Sequence, residues 1–493
     1  MNIAVSSASP RDVKVDLLAI ACDDDAVAES PAIVALDQAL GGSLRRAIQE
    51  ERFRGKPGQL LTLHTQEKLP ATRLALLGVG SRGGLKPSSM QSFAGRAARV
   101  ANAAGAATLA LVPPTSPVGE RAAQLLAEGV LLGGYRFDRY ISEEKRTPQT
   151  LASVHLLLEA AGAEVTAAIT RGQRVAQAIV RARDLVNEPA AVMTPTRLAA
   201  VAREVAEQNQ LELTVLGPRE CRDRGMGLFL AVAQGSHEEP RFIHLAWKPA
   251  GAKKRIVLVG KGVTFDSGGL SLKPNDAMLD MKTDMAGAAA VISVMEVVAR
   301  ERLPVEVHAL APCTENMLSS TSYKLGDVLR SKAGKTVEIN NTDAEGRLAL
   351  ADALSYGLEL QPTAIFDLAT LTGACVVALG PHIAGVMSND EPLSAEWLAA
   401  AKAAGEEMWP LPLPDRLLDQ LKSDVADMRN TGERWGGALT AGLFLKEYVG
   451  ETPWVHVDLA GPSSTDKESG HVAKGGTGFG VATIFEYLRR VSV

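Results

Sequence analysis

The sequence predicts an α/β fold. A larger C-terminal domain carries a mixed, largely parallel sheet flanked by helices, and a smaller N-terminal α/β domain precedes it. Three observations predict this. The chain has 493 residues, too many for one core, so two domains are expected. Apolar strand-like runs alternate with amphipathic helical stretches, as βα units do. Several of those runs are continuously apolar rather than alternating, which suits strands buried on both faces of a helix-covered parallel sheet.

In chain order, residues 13–22 and 73–79 read as strands, 88–104 as a helix by its apolar spacing, and 108–112 as a strand. These make a small α/β domain over residues 1–160. The alanine-rich segment 164–186 is helix-prone and carries Arg171, Arg174, Arg181 and Arg183; it is read as a connecting helix within 161–187. Asn187-Glu-Pro189 and Thr194-Pro195 interrupt the pattern and open a second domain, 188–493. There, strands are expected at 212–216, 228–233, 255–260, 305–311, 364–368 and 454–459, and helices at 285–300 and 346–358. Ligands of such sheets sit beyond the carboxyl ends of the strands. Asp266, Asp343 and Asp367 lie at or just past the ends of those runs.

Composition is that of an ordinary globular protein, 46% apolar and 22% charged. The formal net charge of -5, with no long basic block, disfavours nucleic acid as a main partner. Cys22, Cys221, Cys313 and Cys375 lie far apart without CxxC pairing, against a thiolate zinc site or a disulfide framework. Met1-Asn-Ile-Ala-Val-Ser6 lacks a positive region followed by an apolar core, so no secretory signal is expected there. No apolar stretch approaches the roughly 18–20 residues of a membrane span. The expected location is the cytoplasm.

The chemistry is concentrated in two stretches. Asn341-Thr-Asp-Ala-Glu-Gly-Arg347 places Asp343 and Glu345 at i and i+2, which in an extended segment leave the same face. Two carboxylates on one face repel unless a cation holds them, so the spacing asks for a metal. Lys261-Gly-Val-Thr-Phe-Asp266 follows an apolar run, with Gly268-Gly269, Lys273 and Asp284 beyond it. Taken singly, each acid reads as a helix cap or turn residue, Asp284 above all, because the small-residue run Met285–Ala290 would open a helix close against other backbone. Taken together, four carboxylates and two lysines suggest a two-metal hydrolytic centre. Lys261 is either a neutral amine ligand, favoured by burial beside two dications, or a counter-charge. Oxygen ligation plus one amine, without His or Cys, points to Mn, Mg, Co or a tolerant Zn site. The eight histidines are scattered, with no HExxH grouping. Phe265-Asp-Ser-Gly-Gly269 is similar to a trypsin-like signature but lies in an α/β pattern, and Gly260-Lys-Gly262 fits neither GxxxxGK[ST] nor GxGxxG.

Val259–Gly269, Met281-Lys-Thr-Asp284, Asn341–Leu348 and Asp367–Ala374 closely resemble the leucyl (cytosol) aminopeptidase family, as do Asp184–Pro189 and Trp454–Gly461. The resemblance spans residues 180–490 and fits the N-terminal part only as a variable, macro-like α/β domain. It implies a metallo-aminopeptidase that releases N-terminal residues, leucine and similar apolar ones preferred, through a metal-activated bridging water. Position by position, it implies a tight metal site of Lys261, Asp266, Asp284 and Glu345 and an exchangeable one of Asp266, Asp343 and Glu345. Lys273 would be the electrophile, and Arg347 would hold a bicarbonate acting as general base. Met281, Thr370 and Gly373 would line the pocket for the first side chain. Two divalent ions per subunit are implied, Mn or Zn with Co or Mg as alternatives, together with a homohexamer acting on peptides. Asn316-Met-Leu318 and Leu325-Gly-Asp327 depart from the family's usual prolines, which bears on loop rigidity rather than on any metal position. The rival reading is a DNA-binding regulatory protein with a peptidase fold, for which Arg45, Arg46, Arg52, Arg54 and Lys56 would supply a basic patch.

Overall fold

The computed structural model describes residues 1–24, 27–114, 119–158 and 162–492. The expected junction at 160 and 161 lies outside the described residues. The chain divides into two compact units, residues 1–177 with 467–473, and 178–466 with 474–493.

The first unit is built on six strands: β1 (Asn2–Ser6), β2 (Leu17–Asp23), β3 (Leu60–His64), β4 (Arg73–Gly80), β5 (Thr108–Val112) and β6 (Ser153–Leu157). They lie in the order β1-β6-β5-β2-β4-β3. All neighbours are parallel except β3 on β4. One core joins Leu17, Ala19 and Leu109 of the sheet to Phe93, Ala97, Leu126 and Val130 of the helices Pro87–Ala103 and Glu120–Gly133.

The second unit centres on a nine-stranded sheet. Its strands are β7 (Glu212–Leu216), β8 (Arg241–Trp247), β9 (Arg255–Gly260), β10 (Gly262–Asp266), β11 (Glu306–Asn316), β14 (Ala364–Ala369), β15 (Ala384–Ser388), β16 (Met408–Pro410) and β18 (Trp454–Asp458). A separate small sheet holds β12 (Val328–Arg330), β13 (Thr336–Glu338) and β17 (Met428–Arg429). The main order is β16-β15-β18-β14-β9-β11-β8-β7, with β10 also on β11. β18, β14, β9 and β11 run parallel, while β15 and β8 turn antiparallel against that block. The sheet is mixed and largely parallel at its centre. β14 and β18 are buried at every position, as their mostly apolar runs lead one to expect, and that burial includes Asp367, His456 and Asp458.

Two expectations give way. Residues 228–233 form a helix, Gly227–Ala233, not a strand. A short apolar run does not distinguish the two states. Here a distant carboxylate decides: Phe229 N donates to Asp352 Oδ2 at 3.0 Å, so an acid from the helix Glu345–Leu358 satisfies the new helix's first turn. Asn341–Arg347 is likewise not extended; it is a turn that enters that helix at Glu345.

Candidate metal centre

The parallel strands deliver their carboxyl ends to one place. β9 ends at Gly260, and the next residue, Lys261, is still held to β14, with its N–H on Leu368 O at 3.0 Å. β10 ends at Asp266 beside Asn316 of β11. Thr370 follows β14, and Asp458 ends β18. Asp284 enters from the short turn Met281–Thr283, and Asp343 and Glu345 enter from the turn and first residue of the helix Glu345–Leu358.

In this arrangement Lys261 Nζ sits 2.7 Å from Asp284 Oδ1 and 2.9 Å from Glu345 Oε1. It also donates to Thr370 O at 2.9 Å. Lys273 Nζ lies 2.9 Å from Asp266 Oδ2 and 2.5 Å from Asp343 Oδ1. Asp266 Oδ1 accepts from Gly268 N and Asn316 Nδ2, each at 2.8 Å. Thr370 Oγ1 donates to Asp284 Oδ1 at 2.7 Å. One carboxylate oxygen from each of Asp266, Asp343 and Glu345 lies within 4.8 Å of the other two.

Two glycines permit this crowding. Gly268 has φ +84 in the turn after Asp266, a conformation other residues avoid. A Cβ on Gly346 would overlap the Lys261 stem, lying 2.7 Å from Nζ and 2.9 Å from Cδ. The small-residue helix start behaves as expected: a Cβ on Gly287 would lie 2.9 Å from Lys261 N and would strike Leu368 O. Asp284 does not cap that helix, which begins after Met285 without a side-chain cap.

The electrostatics follow from burial. Desolvation opposes the Lys261 ammonium, but Asp284, Glu345 and Asp266 outweigh it and raise its pKa. Lys273 is raised in the same way by Asp266, Glu345 and Asp343. Burial pushes both Asp284 and Glu345 above the usual carboxylate range, with repulsion from Asp266 adding to both. Arg347 is lowered to about 10 by desolvation. Among carboxylates alone, Lys261 is therefore a charged counter-ion. Dications in the same place would reverse that field and favour its neutral amine.

The residues suit cations. Asp284 Oδ2 and Glu345 Oε2 are buried without a hydrogen-bond partner among the described residues. Buried carboxylate oxygens are costly unless something satisfies them. Arg347 places Nη1 on Asn430 O at 2.7 Å, while its buried Nε has no such partner.

Of the pocket candidates, Thr370 joins the cluster through Asp284 and Lys261. Gly373 opens the short helix Gly373–Leu379 with free space around it, and Met281 is half-buried in the turn before Asp284. Asp367 stands apart from the cluster. It is fully buried in β14, accepting from Trp454 Nε1 and paired with His456 Nδ1, both at 2.6 Å. Three supporting residues were not among the candidate site residues. Asn316 links Asp266 to Thr342 O, and Tyr323 also donates to Thr342 O. Asp458 holds Thr372 Oγ1 at 2.6 Å. Asp458 and Asn316 had a signal, since each lies in a stretch compared with the family, Trp454–Gly461 and Asn316-Met-Leu318; Tyr323 had none.

A mixed α/β sheet with a buried acid–lysine cluster at its carboxyl edge defines a metallohydrolase. The comparisons make this specific: the catalytic domain of the cytosol aminopeptidase family matches residues 180–485, and the family's N-terminal domain matches 19–144. The chain belongs to the cytosol aminopeptidase family and is a metallo-aminopeptidase, a peptide hydrolase. It is 42% identical over 492 residues to a probable cytosol aminopeptidase of Geobacter sp. (strain M21), covering 99% of this chain and 100% of the relative. A probable cytosol aminopeptidase of Alkaliphilus metalliredigens is 41% identical over 496 residues, covering 99% of each. Among solved structures, a tomato leucine aminopeptidase mutant superposes with a TM-score of 0.92 at 38% identity, covering 99% of this chain and 96% of that one. The bottromycin maturation enzyme BotP in complex with Mn gives 0.86 at 35% identity, covering 97% and 100%. These matches do not support the DNA-binding reading. No helix of the described residues is long and apolar enough to cross a membrane.

Proposed function

We propose that the protein is a leucyl aminopeptidase of the cytoplasm, releasing leucine and similar apolar residues from peptide N-termini with two divalent ions per subunit. The observation that carries this is the convergence of Asp266, Asp343 and Glu345 within 4.8 Å, flanked by Lys261 with Asp284 and by Lys273. Lys261, Asp266, Asp284 and Glu345 would hold the tighter ion; Asp266, Asp343 and Glu345 would hold the exchangeable one. Bound there, two such ions supply Lewis acidity and lower the pKa of a bridging water. Mn is favoured by the manganese complex of BotP and by the oxygen-rich donor set, with Zn, Co or Mg as alternatives.

The chain's own groups complete the reading. Lys273, only partly buried, presents a cation where negative charge builds on the scissile carbonyl. Arg347, buried with an unpartnered Nε, would hold a bicarbonate, which would supply a general base there. Met281, Thr370 and Gly373 bound the pocket for the first side chain, and Gly373 leaves room for a branched one. The catalytic domain is 188–493, the segment 161–187 joins it in sequence to the macro-like domain 1–160, and the working assembly is a homohexamer. The test is a panel of aminoacyl p-nitroanilides with Mn supplied: leucine should give the highest kcat/KM and N-acetyl-leucine none. A preference for charged first residues, or cleavage of the acetylated substrate, would overturn the reading.

A further inference from the structure

Asn430 lies just past β17, more than eighty residues beyond the Asn341–Arg347 turn, and is fully buried. β13 and β17 run side by side, pairing Val337 with Met428 and Glu338 with Arg429. The alignment continues past their ends, where Asn430 N donates to Glu338 O at 3.0 Å. There the backbone ladder gives way to one side chain. Asn430 Oδ1 accepts from Asn340 N at 3.0 Å and Asn341 N at 3.4 Å, and Nδ2 donates to Asn341 O at 2.6 Å. Its own carbonyl takes Arg347 Nη1 at 2.7 Å. One residue therefore fixes the segment leading into Asp343 and Glu345 and also sets the direction of the Arg347 guanidinium.

We infer that Asn430 is a positioning residue for the reaction, holding the Asp343 carboxylate and the Arg347 guanidinium in mutual register. This rests on the roles proposed above for Asp343 and Arg347. The amide is suited to the task because it offers an acceptor to the N–H and a donor to the C=O of one residue at once, as a neighbouring strand would. An aspartate keeps the acceptor and loses the donor, setting a carboxylate oxygen against Asn341 O.

A comparison is built into the same two segments. Asn340 and Thr431 form a second, exposed clamp: Asn340 Nδ2 on Thr431 O at 3.2 Å and Thr431 Oγ1 on Asn340 Oδ1 at 2.8 Å. Asn340→Ala removes side-chain hydrogen bonds between the segments and leaves those of Asn341 N, Asn341 O and Arg347 in place.

The experiment compares wild type, Asn430→Ala, Asn430→Asp and Asn340→Ala, with thermal unfolding as the control for folding. Mn is titrated calorimetrically onto chelated protein, and kcat and KM are measured on leucine p-nitroanilide. Asn430→Ala should lower kcat and the affinity for the weaker Mn by about tenfold to a hundredfold, the usual effect of removing a residue that orients a metal ligand. KM should change little, and Asn430→Asp should show the same pattern. Asn340→Ala should stay within about twofold of wild type, as surface substitutions do. Unchanged kcat and Mn affinity in folded Asn430→Ala or Asn430→Asp would overturn the inference, as would equal losses in Asn340→Ala. A wild type without metal-dependent hydrolysis would instead defeat the proposed function, and the Mn titrations would still decide the role of Asn430.

Discussion

Gly346→Ala is a one-carbon change with a calculable consequence. The added Cβ would lie 2.7 Å from Lys261 Nζ and 2.9 Å from Cδ. Non-bonded carbons prefer about 3.5–4.0 Å, so the lysine stem must move by roughly 1 Å. Its head is held at 2.7 Å by Asp284 and 2.9 Å by Glu345, within a 3% exposed side chain, so the movement disturbs the acids too. A displacement of that size at a reacting centre costs on the order of a hundredfold in rate. Stability changes less, because two effects oppose each other. Overpacking costs about 1–3 kcal/mol, whereas alanine is favoured over glycine inside a helix by roughly 0.5–1 kcal/mol. The expected result is a folded protein, destabilised by about 1–2 kcal/mol from these two terms, whose kcat on leucine p-nitroanilide falls by about a hundredfold at saturating Mn. Full kcat in folded Gly346→Ala would refute the argument that Lys261 must pass beneath this residue.

Other outcomes follow from the same contacts. Burial and His308 pull His244 down to about 3, below its ordinary value. A base with a depressed folded pKa contributes stability that is present above about pH 6.5 and lost as pH falls towards the folded value. Between pH 6.5 and 5, wild type should lose about 2 kcal/mol more than His244→Gln, at about 1.4 kcal/mol per pH unit; parallel denaturation curves at both pH values would contradict this. Cys22, Cys221, Cys313 and Cys375 are buried and free, and desolvation raises the first, second and fourth to about 12. A thiol reagent at pH 8 should label none of the four rapidly until denaturant is added, so fast labelling of the native protein would count against the burial described. Trp397 is fully buried against Phe366 and Tyr487, with ring centroids 4.8 and 5.7 Å away. Its replacement by Ala should cost about 3–5 kcal/mol in urea unfolding, and a loss near zero would show that the site collapses without penalty.

The sequence exposed those parts of this structure that depend on local pattern. Apolar runs marked β9, β14 and β18, unbroken in β9 and interrupted by Asp367 in β14 and His456 in β18, because both faces of those strands are buried. The spacing of Asp343 and Glu345 drew attention to the site, although the physical route differs: a turn into a helix, not an extended strand, brings the two together. Asp367 followed the same strand-end rule yet serves a buried pair with His456, because position along a strand does not say which neighbour lies opposite. Residues 228–233 were misread because the carboxylate that fixes their helix, Asp352, is more than a hundred positions away. Asn430 was silent for the same reason. Its partners at 340, 341 and 347 become neighbours only once β13 and β17 pair.

The most direct test of the central claim is metal stoichiometry coupled to activity. Wild type and Asp343→Ala would be stripped with chelator, reloaded with Mn, and assayed for bound metal by mass spectrometry and for leucine p-nitroanilide hydrolysis. Wild type should bind two ions per chain, with activity that chelation abolishes and Mn restores. Asp343→Ala should lose the weaker ion and its activity. Hydrolysis that persists in both chelated wild type and Asp343→Ala would contradict the central claim.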